Sequence, residues 1–144
     1  INMRTITFLV FSLFLSIVGC DAQTFTVKDL IGTKWEQVKD SKATTKTVVE
    51  FTDKDMIEYC THLYTNTKFR WPRPYYFSPT IPTSFDKNKV GKVTTGRYIV
   101  ILYKDERMVY KTIQKISSDT LILYRRKVNS IGGEEQTYVY KRIK

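Results

Sequence analysis

The feature that most constrains this chain is a succession of short β-branched and aromatic runs, each cut off by turn residues. The runs lie at roughly 34–39, 45–51, 56–64, 74–78, 97–103, 108–116, 121–126 and 136–143. They are rich in Val, Ile, Thr, Tyr and Phe, side chains that suit a pleated, half-buried surface. Thr52-Asp53-Lys54-Asp55, Lys104-Asp105-Glu106-Arg107, Ser117-Ser118-Asp119-Thr120 and Asn129-Ser130-Ile131-Gly132-Gly133 punctuate them. Links this short join neighbouring strands in antiparallel pairs. Eight strands without crossover helices leave a sandwich or a closed barrel. Successive hairpins favour the all-β, up-and-down eight-stranded barrel, because a sandwich needs longer Greek-key connections. Ahead of the strands, residues 24–32 read as one short helical turn, with Thr26 as cap, Asp29 in the first turn and Gly32 as a left-handed stop.

Residues 5–18 have a different character: after Arg4 the chain is apolar and uncharged through Val18. A lone cation, an apolar run of about a dozen residues and then small residues is the layout of a cleaved signal peptide. The run falls short of the ~20 residues that span a bilayer as a helix. Ile17-Val18-Gly19-Cys20 resembles the lipobox of bacterial lipoproteins, which implies cleavage of 1–19 and lipidation of Cys20. The mature domain is then 20–144, anchored to a bacterial membrane through its N-terminal lipid, at the outer membrane or cell envelope. Cleavage after Ala22 would instead release a soluble periplasmic or secreted protein. The chain carries 24 Lys and Arg against 14 Asp and Glu. Loss of Arg4 leaves a strongly basic mature domain, for which an anionic envelope surface is the expected neighbour. Cys60 becomes its one thiol without a lipid and, inside an apolar run, is expected to be buried.

One stretch breaks the strand rhythm. Residues 65–96 hold all four prolines, Pro72, Pro74, Pro79 and Pro82, and read as loop and edge because proline cannot donate to a ladder. Within it, Phe69-Arg70-Trp71-Pro72-Arg73-Pro74-Tyr75-Tyr76-Phe77 packs five aromatics and two arginines into nine residues.

The pattern resembles the lipocalin-like (calycin) β-barrels, and among them the small exported bacterial lipoproteins. The likeness is carried by Leu30-Ile31-Gly32-Thr33-Lys34-Trp35 and by Val49-Glu50-Phe51-Thr52-Asp53-Lys54-Asp55. Ile116-Ser117-Ser118-Asp119-Thr120-Leu121 and Tyr138-Val139-Tyr140-Lys141 add to it. The resemblance implies a barrel holding a small apolar ligand in its open end. It also implies that Trp35 closes the barrel floor beneath a basic side chain, Arg142 or Lys141, through a cation–π contact.

Along 108–116 a strict period of two puts uncharged Tyr110 and Thr112 inside and Lys111 and Lys115 outside. Candidate ligand-binding residues are therefore Tyr59, Trp71, Tyr75, Tyr110 and Thr112. The function expected is non-catalytic binding of a small apolar or amphipathic ligand by a monomer. The alternative is a protein- or glycan-binding module of the cell envelope, an inhibitor among them, acting through an aromatic loop at 69–77.

Other classes find little support. His62 stands alone on a strand, the setting of a packed or surface imidazole. The close carboxylate pairs Asp53/Asp55 and Glu134/Glu135 sit in turns, so no catalysis is expected. One His and two Cys leave no multi-ligand zinc set, and no cofactor is implied. Nucleic acid is disfavoured by the export signal. Its basic clusters, Arg125-Arg126-Lys127 and Lys141-Arg142-Lys144, also fall at opposite ends of the last hairpin.

Overall fold

A computed structural model describes residues 23–127 and 133–144. The expected leader at 1–19 and the expected lipidation site Cys20 lie outside the described residues. Eight antiparallel strands follow one another around a closed barrel: β2 (Lys34–Gln37), β3 (Thr45–Phe51), β4 (Asp55–His62), β5 (Lys68–Ser78), β7 (Tyr98–Leu102), β8 (Met108–Ile116), β9 (Thr120–Arg125) and β10 (Gln136–Ile143). β10 closes the circle on β2, with Arg142 opposite Trp35 and Tyr140 opposite Gln37. Two short strands, β1 (Phe25–Thr26) and β6 (Thr95–Gly96), pair separately. Val27–Asp29 form a 3₁₀ turn whose cap, Thr26, accepts from the Lys28 N–H.

The segment 69–77 is not a loop: it lies within β5, the longest strand of the barrel. Its prolines are tolerated for a reason of parity. The Tyr75 N–H bonds to the Lys54 carbonyl on the β4 side, whereas the Ser78 carbonyl accepts from Arg97 on the β7 side. Alternation therefore turns the nitrogens of Pro72 and Pro74 towards β7. There pairing begins only at Tyr75, opposite Ile101, so Lys68–Pro74 bonds to β4 alone. No ladder bond is lost, and the β4–β5 hairpin stands beyond the rim. What remains of the expected loop, 79–94, folds back over the outer face. Tyr76 lies there against Phe85 at 5.2 Å, its hydroxyl donating to the Ser84 carbonyl and accepting from Asp86 N. Gly96 passes so close to the Ser78 backbone that a Cβ would sit 2.3 Å from its carbonyl.

One end of the barrel is filled. Trp35, Val49, Phe51, Tyr75, Phe77, Ile99, Ile113 and Leu121 form a continuous core with Phe25, Val27 and Leu30 of the N-terminal segment. That segment is bonded across the end by Gly32 N to the Phe51 carbonyl and Phe51 N to the Thr33 carbonyl. Gly32 takes φ of +77°, a left-handed value that costs other residues roughly 1–2 kcal/mol.

The interior face of β8 is the reverse of that expected. Lys111 and Ile113 are buried, whereas Tyr110 and Thr112 pair with Val100, Tyr98 and Tyr124 on the outer face. A β-bulge explains it. The register against β9 steps from Ile113 opposite Leu123 to Lys115 opposite Ile122, leaving Gln114 extra. Lys111 and Lys115, four apart, would share a face in a regular strand; across the bulge they part, and Lys115 is exposed.

Candidate functional site

The other end of the barrel is open and polar. Strand register brings Thr47 of β3, Glu58 of β4, Lys111 of β8, and Tyr138 and Tyr140 of β10 to the same interior. With Tyr103 after β7, they line a cavity of about 720 Å³. The connection between β2 and β3 forms its lip, where Lys39 Nζ donates to Thr45 Oγ1 at 2.8 Å and Thr47 Oγ1 at 2.7 Å. A second cavity, of about 430 Å³, is lined by Arg125, Met108 and Tyr110 and shares Tyr103 with the first.

The charges in this half do not balance. Arg73, inward on β5, stacks its guanidinium 3.8 Å from the Tyr103 ring centre and pairs with Glu58 at 3.6 Å. Lys111 is 4% exposed, with its ammonium 3.8 Å over the Tyr138 ring. Among the described residues it has no hydrogen-bond or ion-pair partner. Arg125 Nε and Arg73 Nε are also buried without a partner among the described residues. Among the described residues, Glu58 is thus the carboxylate set among these three cationic heads, with Asp40 farther out on the lip.

The titrations respond accordingly. Burial is the main cause that lowers Lys111 from 10.5 to about 8; the nearby Arg125 and Arg73 push the same way and Glu58 opposes them. Burial likewise holds the Tyr138, Tyr103 and Tyr140 hydroxyls above the ordinary phenol value. These tyrosines are therefore neutral hydroxyls across the physiological range.

The residues singled out from the sequence are scattered. Trp71 faces inward, opposite Glu58, and stacks on Phe69 at 5.4 Å where β5 rises past the rim. Tyr75 is buried in the closed half, its hydroxyl donating to the Thr52 carbonyl at 2.7 Å. Tyr59 stands on the outer face, opposite Arg70, with its hydroxyl directed at Glu50. Tyr110, also outside, packs edge-on to Tyr98, and Thr112 lies beside it on the same face. None of the five lines the larger cavity.

Trp35 is fully buried, its indole N–H donating to Thr33 Oγ1 at 2.6 Å. Arg142 pairs with it in register but is exposed, and no cation–π contact joins them. Cys60 is half-buried rather than buried. His62 is half-buried beside Tyr64, its ring Nδ1 without a partner among the described residues.

Sequence reasoning missed Lys111, Arg73, Glu58 and Tyr103. A lysine in an alternating strand reads as solvent-facing unless the bulge is known. Arg73, between two prolines, reads as part of a loop. The available signal was the parity of Glu58, which shares a face with Met56 on β4. Compared with protein-family models, curated proteins and solved structures, the chain matches none.

Proposed function

We propose that this protein is an exported, lipid-anchored binding protein of lipocalin-like type, whose barrel takes up a small amphipathic molecule without transforming it. The observation that carries the reading is the open cavity of about 720 Å³ above an apolar floor. It lies within the ~300–1,000 Å³ typical of small-ligand sites. Its lining of tyrosines, threonines, three lysines and the carboxylates Asp40 and Glu58 suits a molecule with both an apolar body and a polar head better than a purely apolar one. Native mass spectrometry of protein purified from its own host tests it. A retained small molecule of defined mass is expected, whereas protein that carries nothing and takes up no aromatic probe would refute the reading.

A second reading, contact with an envelope protein or glycan, draws support from the hairpin beyond the rim. Phe69 is 46% exposed there, and Leu63 and Tyr64 at the turn of the same hairpin are exposed as well. It involves only the first part of the 69–77 segment, since Tyr75, Tyr76 and Phe77 are buried.

A further inference from the structure

Resting on the pocket reading above, we infer that the molecule held in the barrel bears an acidic group, and that Lys111 is the residue that binds it. Three observations converge on this.

Lys111 projects from β8 into the cavity, and its head touches a ring face rather than an acceptor. The side chain is buried up to its head at the cavity wall, and an ammonium with little water around it and no hydrogen-bonded counter-charge is costly. A ring face offsets only part of that cost. Glu58, the carboxylate that acts on Lys111, is already engaged by Arg73, and Asp40 stands at the lip between β2 and β3. The local sum of Arg73, Lys111 and Arg125 against Glu58 therefore stays positive.

The surrounding cations set the sign of the missing partner. Tyr138 and Tyr140 line the same wall and are kept neutral by burial, so they can donate to an anionic head and supply no charge of their own. An anionic head against Lys111, with the apolar body of the ligand between the rings of Tyr103, Tyr138 and Tyr140, satisfies each group. A cationic ligand would meet three like charges, and a neutral one could offer the ammonium an acceptor but no counter-charge.

The groups facing Lys111 also set the pH response. They are Lys39, Asp40 and Lys42 beyond β2, Glu58 on β4, Arg73 on β5, Tyr103 beyond β7, Arg125 on β9, and Tyr138 and Tyr140 on β10. The arginines keep their charge throughout. Lys111 loses its proton as the pH passes about 8, so affinity for an acid should hold below that point and decline above it.

Two dyes with the same aromatic frame test the inference on the folded mature protein, read by fluorescence: anilinonaphthalene sulfonate and uncharged phenylnaphthylamine. The sulfonate is expected to bind about tenfold more tightly, the factor for one charge-assisted contact. Lys111→Met should erase that preference, whereas Lys92→Met on the exposed surface should not. Equal binding of both dyes by the wild type would overturn the acidic class and leave the pocket reading intact. Failure of both dyes to bind would remove the pocket reading as well. A preference that survives in Lys111→Met would exclude Lys111 as the binding residue. If the methionine variant does not fold, Lys111→Gln keeps a polar head and answers the same comparison.

Discussion

A buried ammonium facing a phenol ring makes a quantitative claim about stability. The fall of Lys111 from 10.5 to about 8 corresponds to about 3 kcal/mol by which the charged form is disfavoured in the fold. Below pH 8 both the folded and unfolded chains carry the proton, and the full cost is present. Between about pH 8 and 10.5 the unfolded chain keeps a proton that the folded one has released, so this contribution to stability rises with pH. Lys111→Met should therefore stabilise the empty protein at pH 7 by roughly 1–3 kcal/mol, with the gain shrinking towards pH 10.5. Urea denaturation of the two proteins at both pH values measures it. A loss of stability at pH 7 would mean that the lysine holds the barrel together instead. The sequence shows this residue only as one of many cations. Its placement depends on its neighbours in space.

At the scale of the element, most of the barrel is legible because period-two alternation and turn residues are local properties. The strands β3, β8 and β9 begin and end within a residue or two of where their composition and turns place them. Two elements are not legible, and both for reasons of pairing. Proline in β5 looks like a breaker until one knows that β5 runs past its β7 neighbour, so that its imide nitrogens face no acceptor. The β8 bulge shifts the phase of alternation with no Gly or Pro to announce it. Deletion of Gln114 offers a direct check, because a regular ladder would then run from Ile113 to Ile116 with Lys115 still outside and Ile116 still inside. The shortened protein should fold with a loss of less than about 2 kcal/mol, measured by thermal unfolding. Deletion of Thr112 turns Ile113 outward and should prevent folding. If the Gln114 deletion is the more damaging of the two, the bulge has been misplaced.

The whole molecule divides its interior in two. The N-terminal segment, Trp35, and Tyr75 and Phe77 of β5 fill one end, and the charged and hydroxyl-bearing residues occupy the other. The floor follows from the sequence, where Trp35 and its apolar neighbours stand out. The chemistry of the open end does not, because it is assembled from single residues on strands distant along the chain. The proposed anchor belongs to this scale too. Growth of the host with a radioactive fatty acid should label the wild-type protein and leave Cys20→Ala unlabelled and released from the membrane fraction. Absence of label on the wild type would argue for a soluble exported form. The ribbon that rises past the rim has its own consequence. Such free flanks are where β proteins add strand to strand and polymerise. Here Pro72 and Pro74, in alternate positions, remove two of the donors that a second molecule would need, beside the charged Lys68 and Arg70. Crowded copies can therefore lie side by side as separate particles rather than grow into a fibre.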